Sequence, residues 1–143
     1  MRVYLIILFV VSFFSSSSQV QKVNGIEINA PNGFIKTGDL EWSNNDGIEN
    51  VIVAYFKGNA VEGGNREYCK KGSRGSQFVN YLYVEQNGVS YGLCAQKGNN
   101  SLAILSTMLY RNGYTYMIMV SAETDDYERC MEIMGYMITT LTI

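Results

Sequence analysis

The feature that most constrains this chain is a pair of apolar runs joined by an Asn-Gly turn in its last third. The runs cover 102–110 and 114–122, and Asn112-Gly113 lies between them. Asn-Gly favours the type I′ turn of a two-residue β-hairpin, because both central positions of that turn need a positive φ. The predicted register places Arg111 opposite Tyr114, and every later pair follows from that one.

Both faces of this predicted hairpin are apolar. One face would carry Ala103, Leu105, Leu109, Tyr116, Ile118, Val120 and Ala122, and the other would carry Ile104, Met108, Tyr110, Met117 and Met119. A sheet with one face in water alternates apolar and polar side chains, and these strands do not. We therefore expect two central strands that are covered on both sides.

An amphipathic helix is predicted to follow the hairpin. Thr124 is a candidate N-cap, and acidic residues occupy the next positions, where negative charge complements the helix dipole. Apolar residues then recur at spacings of three and four, at Tyr127, Cys130, Met131, Met134, Met137, Ile138 and Leu141. This stripe predicts packing on one face of the hairpin. The β-branched residues of 139–142 predict that the helix frays or ends near Ile138.

Further strands are predicted earlier in the chain. They are a strand at 20–30, a hairpin at 34–42 with Gly38-Asp39 at its tip, a strand at 49–57, and a hairpin at 77–97 around Asn87-Gly88. The predicted register of the last hairpin pairs Leu82 with Leu93, Tyr83 with Gly92 and Val79 with Gln96. The glycine-rich segment 58–76 is expected to be a short helix or a loop. The fold class is therefore predicted to be α+β, an antiparallel sheet of six to seven strands. The C-terminal helix would cover one face, and segment 58–76 would cover the other.

The first eighteen residues have the pattern of a secretory signal peptide. Arg2 gives a short basic start, 3–14 are apolar, and four serines at 15–18 supply small residues for cleavage. The apolar run is too short to span a bilayer, so we expect no stable membrane span after cleavage. Residues 19–143 are predicted to form one α+β domain that is secreted or periplasmic.

Three cysteines, Cys69, Cys94 and Cys130, bear on the redox compartment. In an oxidising compartment one disulfide is expected, and one thiol is left over. We favour Cys69–Cys94, because segment 58–76 is expected to lie against the 77–97 hairpin, and because Cys130 fits the buried helix stripe. The pairs Cys69–Cys130 and Cys94–Cys130 stay open.

The composition limits the catalytic groups and metal ligands that this chain can supply. The chain contains no histidine, which excludes Ser-His and Cys-His nucleophiles and histidine-ligated metals, and no cofactor is predicted. A net charge of −2 gives no indication of nucleic acid as a partner. The remaining catalytic candidates are two carboxylate pairs and one thiol: Asp39 with Glu41, Asp125 with Asp126, and Cys130.

Recognition is the function that the sequence favours. The candidate partner contacts are a basic cluster and two aromatic residues: Arg66, Lys70, Lys71, Arg74, Trp42 and Tyr68. We predict an exported, non-catalytic binding domain whose partner is a protein or another component of the cell envelope. Two alternatives are a secreted inhibitor that presents loop 58–76, and a small enzyme that uses carboxylates or the Cys130 thiol.

Two stretches resemble the PsbP/Mog1-like family of small domains. They are IEINAPNGF at 26–34 and GYTYMIMVSA at 113–122, the second followed by the predicted helix. The resemblance implies a central antiparallel sheet between helices, and many bacterial members of that family are exported. The resemblance implies no catalytic residues for this chain, because the family shares none. Segment 58–76 departs from the family, because it is glycine-rich where a clear helix is expected.

Overall fold

The computed structural model describes residues 20–61, 64–72, 75–86 and 88–141. The strands are β1 (Val20–Val23), β2 (Ile26–Asn29), β3 (Ile35–Gly38), β4 (Glu41–Ser43), β5 (Asn50–Lys57), β6 (Gln77–Gln86), β7 (Val89–Lys97), β8 (Leu102–Arg111) and β9 (Tyr114–Thr124). The helices are α1 (Gly64–Lys71) and α2 (Tyr127–Leu141). The predicted signal peptide of residues 1–18 and the candidate contact Arg74 lie outside the described residues.

Seven strands form one antiparallel sheet in the order β3-β4-β5-β9-β8-β7-β6, and β1 pairs with β2 in a separate two-stranded sheet. This confirms the predicted α+β class, with a C-terminal helix and a further short helix. Across the described residues, no helix is both long enough and apolar enough to span a membrane.

The two long hairpins have the predicted registers. Arg111 pairs with Tyr114, and Asn112 and Gly113 have φ values of 49° and 85°, as a type I′ turn requires. In the other hairpin Leu82 pairs with Leu93, as expected. Only the far end of that hairpin differs. A bulge between Phe78 and Asn80 places Phe78, where we expected Val79, opposite Gln96.

The sheet has two unlike faces, which we call inner and outer. Val53 and Ile118 pair on the inner face, which contacts α2, and Ile52 and Met119 pair on the outer face. The core lies between the inner face, α2 and the β1–β2 hairpin. Its largest fully buried side chains are Trp42, Tyr116, Phe34, Ile28, Leu93, Ile118, Ile133, Met134, Met137, Ile138, Val51 and Val120.

Helix α2 begins two residues later than predicted. Thr124 is not its N-cap, because it still belongs to β9 and its hydroxyl donates to the Asn100 carbonyl oxygen at 3.2 Å. The carboxylate of Asp126 caps the helix and accepts the Arg129 N–H at 3.2 Å.

The predicted end of α2 near Ile138 was also wrong, since the helix continues to Leu141. Both of these residues are buried in the core, and their packing outweighs the weak helix propensity of the threonines between them. The hydroxyls of Thr139 and Thr140 each donate to a carbonyl oxygen of the preceding turn at 2.8 Å.

The single strand predicted at 20–30 is in fact a hairpin. Asn24 and Gly25 form its turn, with φ values of 51° and 82°. The Asn24 side chain donates to the Tyr116 hydroxyl at 3.3 Å, which ties this turn to the sheet.

Candidate functional site on the outer face of the sheet

Helix α1 is held on the outer face by a covalent bond. Cys69 and Cys94 form the expected disulfide, with their Cα atoms 5.6 Å apart. The Gln96 amide also donates to the Cys69 carbonyl oxygen at 3.2 Å. A helix of eight residues without an apolar stripe is marginal by itself, so these two contacts explain why α1 stays on β6 and β7.

The solvent side of α1 carries basic and aromatic residues. Arg66, Lys70 and Lys71 are exposed, and Tyr68 is exposed between them. Within the described residues, none of the three cations makes an ion pair with a carboxylate. The structure thus brings four of the predicted contacts together on one short helix, which we call the basic helix surface.

A row of apolar side chains lies on the same face of the sheet, over β5 and β9. Its members are Ile52, Ala54, Phe56, Met117 and Met119, which we call the apolar strip. Ile52 and Phe56 are each 41 % exposed, and the two methionines are half-buried. The apolar strip and the basic helix surface thus lie on the same face of the sheet, over different strands, and an interface combines an apolar core with a polar rim.

The turn after β5 folds over one end of the outer face. The Thr115 hydroxyl donates to the Gly58 carbonyl oxygen at 2.6 Å, and the Ala60 N–H donates to the same hydroxyl at 3.1 Å. Beside this turn lies an open cleft of about 310 Å³, and Met108 and Tyr110 are among the residues that line it. The outer face therefore combines a covered end, a cleft, the apolar strip and the basic helix surface.

Trp42 does not belong to this site, and its prediction as a partner contact was wrong. The indole is only 1 % exposed, because β4 places it opposite Val51 on the inner face. Phe34 is buried in the same core. Aromatic residues near the start of the chain build the core, whereas the exposed ones lie on β5, β6, β8 and the two helices.

Three of the four candidate carboxylates, Asp39, Asp125 and Asp126, have structural partners. Asp39 accepts a hydrogen bond from the Gln21 amide at 2.9 Å, and Asp126 caps α2. Asp125 lies 3.5 Å from the Lys97 ammonium group. Across the described residues, no three acidic or cysteine side chains are grouped so that they could hold a metal ion.

The free thiol of Cys130 lies in the core, as its place on the helix stripe predicted. It is fully buried, and the thiol donates to the Ala103 carbonyl oxygen at 3.6 Å. Burial, with smaller contributions from Asp126 and Glu49, raises the pKa of Cys130 to about 12. The group therefore stays a neutral thiol at neutral pH, which is a poor state for a nucleophile.

Sequence reasoning missed one outer-face arrangement, the packing of Tyr81 across Gly92. A Cβ atom at Gly92 would collide with the Tyr81 hydroxyl, so this glycine makes room for the ring. Tyr83 stacks edge-on against Tyr81 with ring centroids 5.5 Å apart. The predicted pairing of Tyr83 with Gly92 was the available signal, since an aromatic residue often covers a glycine on a neighbouring strand.

Comparisons with known proteins give the fold. No family model matches this chain, and no curated protein matches it. The solution structure of cyanobacterial PsbP (CyanoP) from Synechocystis sp. PCC 6803 is similar, with a TM-score of 0.60 and 16 % identity over 85 % of this chain and 89 % of that one. The predicted PsbP-like fold is therefore confirmed, and at this level of identity the likeness concerns the fold alone.

Proposed function

We propose that this PsbP-like domain is a non-catalytic binding protein that works after export and uses its outer face to hold an acidic protein. The observation that carries the proposal is the basic helix surface. Arg66, Lys70 and Lys71 are exposed on α1, in a chain whose net charge is −2. Against them α1 carries one exposed carboxylate, Glu67, so the helix keeps an excess of positive charge, and such an excess steers a partner of the opposite charge.

The apolar strip gives this surface a region to bury. Charged groups at a rim add rate and specificity, whereas affinity depends on apolar and aromatic residues that are removed from water. Ile52, Phe56 and Tyr68 are exposed large apolar residues on or beside this face. The expected partner places acidic residues against the basic helix surface and apolar residues against the apolar strip.

The disulfide supports a compartment outside the reducing cytoplasm. Disulfides persist in oxidising compartments, and Cys69–Cys94 is what fixes α1 to the sheet. The inhibitor alternative receives less support, because residues 64–71 form a helix that packs on β6 and β7 and does not project from them. The enzyme alternative lacks an activated group among the described residues, since Cys130 is buried and Asp126 caps a helix.

The test is a comparison of two charge-reversal variants. Arg66, Lys70 and Lys71 are changed together to Glu in one, and Lys22, Lys36 and Lys57, exposed elsewhere, are changed to Glu in the other. Each immobilised protein is offered the secreted and envelope fractions of its source cells at low and high salt.

We expect proteins of acidic pI to bind the wild type and the control, and to be lost from the α1 variant. The retained proteins should elute as salt rises, because screening weakens contacts between exposed charges. Equal retention by all three proteins would contradict the proposal. Binding to vesicles of anionic lipid, with no retained protein, would also contradict it.

A further inference from the structure

The two edges of the seven-stranded sheet are built differently. Strand β3 forms one edge with only four residues, which include Lys36, and its pairing with β4 is irregular between Lys36 and Gly38. Short length, charge and irregularity are the means by which proteins prevent an edge from pairing with another chain. These three features protect the β3 edge against pairing with a further strand.

Strand β6 forms the other edge and has little of this protection. It is ten residues long, contains no proline, and has Glu85 as its only charged residue. Four of its side chains are exposed large hydrophobic groups, namely Phe78, Val79, Leu82 and Tyr83. Among the described strands, β7 alone pairs with it.

The bulge marks where regular pairing begins. It lies between Phe78 and Asn80, and the Asn80 side chain accepts the Tyr81 N–H at 2.8 Å, which satisfies one amide locally. From Tyr81 to Gln86 the strand pairs with β7 without a shift. This regular half is the part of the edge that could accept a new strand.

We propose that β6 pairs with β6 of a second copy of this chain, antiparallel and centred on Tyr83, so that two sheets join into one. In this register Leu82 lies opposite Val84 of the second copy on the inner-face side. Tyr83 lies opposite its own copy on the outer-face side, and Glu85 lies opposite Tyr81 of the second copy.

The composition of the strand favours a second copy over an unrelated strand. A twofold axis at Tyr83 brings no two like charges opposite each other, because the only carboxylate of the strand meets a tyrosine. Tyr83, at the centre, is 75 % exposed and is the most exposed large hydrophobic residue described in the chain. The pairing would cover it together with Leu82, which is 48 % exposed.

Symmetry supplies a sharp test, since one substitution at the axis appears twice in the dimer. Tyr83→Lys would place two ammonium groups opposite each other, and Tyr83→Glu would place two carboxylates there. The control is Ile35→Lys, which puts the same charge on an exposed apolar residue of the other edge strand, β3. Sedimentation velocity across about a hundredfold range of concentration gives the dimer affinity of each protein.

We expect the wild type and Ile35→Lys to dimerise with equal affinity. Tyr83→Lys and Tyr83→Glu should each lose at least about tenfold in affinity, and their equimolar mixture should recover a heterodimer through the Lys–Glu pair. A wild type that stays monomeric throughout would overturn the proposal. Dimers of Tyr83→Lys as tight as the wild type, or single variants that are monomeric and do not recover on mixing, would overturn it equally.

Discussion

The inner and outer faces of the sheet both carry apolar side chains, but these side chains are buried to different extents. On β9 the neighbours Ile118 and Met119 are both apolar, yet Ile118 is fully buried under α2 and Met119 is half-buried on the open side. A fifteen-residue amphipathic helix covers the inner face, and an eight-residue polar helix bound by a disulfide covers only part of the outer face. The prediction that the central strands are covered on both sides is therefore confirmed for the inner side only. Most of the buried core therefore lies on the inner face, and the outer face keeps the exposed side chains on which the proposed recognition depends.

Substitution of adjacent residues on β9 gives the largest expected difference between the faces. Ile118→Ala should lower the free energy of unfolding by about 4 kcal/mol, because it leaves a cavity in the core. Met119→Ala should cost about 1 kcal/mol, because its site already touches solvent. Urea denaturation of both variants measures the difference, and equal losses would contradict the division between faces.

Removal of the disulfide should have the next largest effect. The double change Cys69→Ser and Cys94→Ser should cost about 3.5 kcal/mol in the chain-entropy model, for residues that are 25 positions apart. Amide exchange should rise in α1 while the amides of α2 keep their protection. Loss of protection in both helices together would show that α1 also supports the inner face.

The ion pair between Glu49 and Arg129 at the margin of the inner face should have the smallest effect. The Arg129 guanidinium donates two hydrogen bonds to the Glu49 carboxylate, at 2.5 and 3.1 Å, and joins α2 to the start of β5. Hydrogen bonds from Arg129 to Glu49 and then to Glu132 raise the pKa of the guanidinium.

Arg129→Met should cost about 1 kcal/mol in low salt and less in high salt, because the arginine is partly exposed and screened. Arg129→Lys, which keeps the charge and loses the bidentate geometry, should lie between the wild type and Arg129→Met. Thermal denaturation at two ionic strengths measures these differences. A salt-independent loss would indicate that packing, and not charge, is what Arg129 contributes.

The strands that could be predicted from sequence are those with local turn signals. Asn112-Gly113 and Asn87-Gly88 predicted the registers of both long hairpins, and the same signal at Asn24-Gly25 was overlooked because the flanking strands are only four residues long. The bulge after Phe78 has no local signal. The order of strands across the sheet was not predicted, because it depends on contacts between distant segments.

The sequence predicted which residue types contribute to the candidate site better than it predicted where they lie in the fold. The basic residues of α1 and the disulfide were identified from spacing and composition, whereas Trp42 was assigned to the surface although it is buried. Whether an aromatic residue is buried depends on which face of the sheet its strand presents. For Trp42 the face follows from the pairing of β4 with β5, which places the indole opposite Val51. The sequence does not predict this pairing.

Oxidation of methionines in the native protein tests the difference between the faces most directly. Met134 and Met137 lie in the core under the inner face, and Met117 and Met119 lie on the outer face. Under dilute peroxide, followed by peptide mass spectrometry, Met117 and Met119 should be converted to sulfoxide much faster than Met134 and Met137. Equal protection of all four would mean that the outer face is covered, which would contradict its assignment as the open, partner-binding side of the sheet.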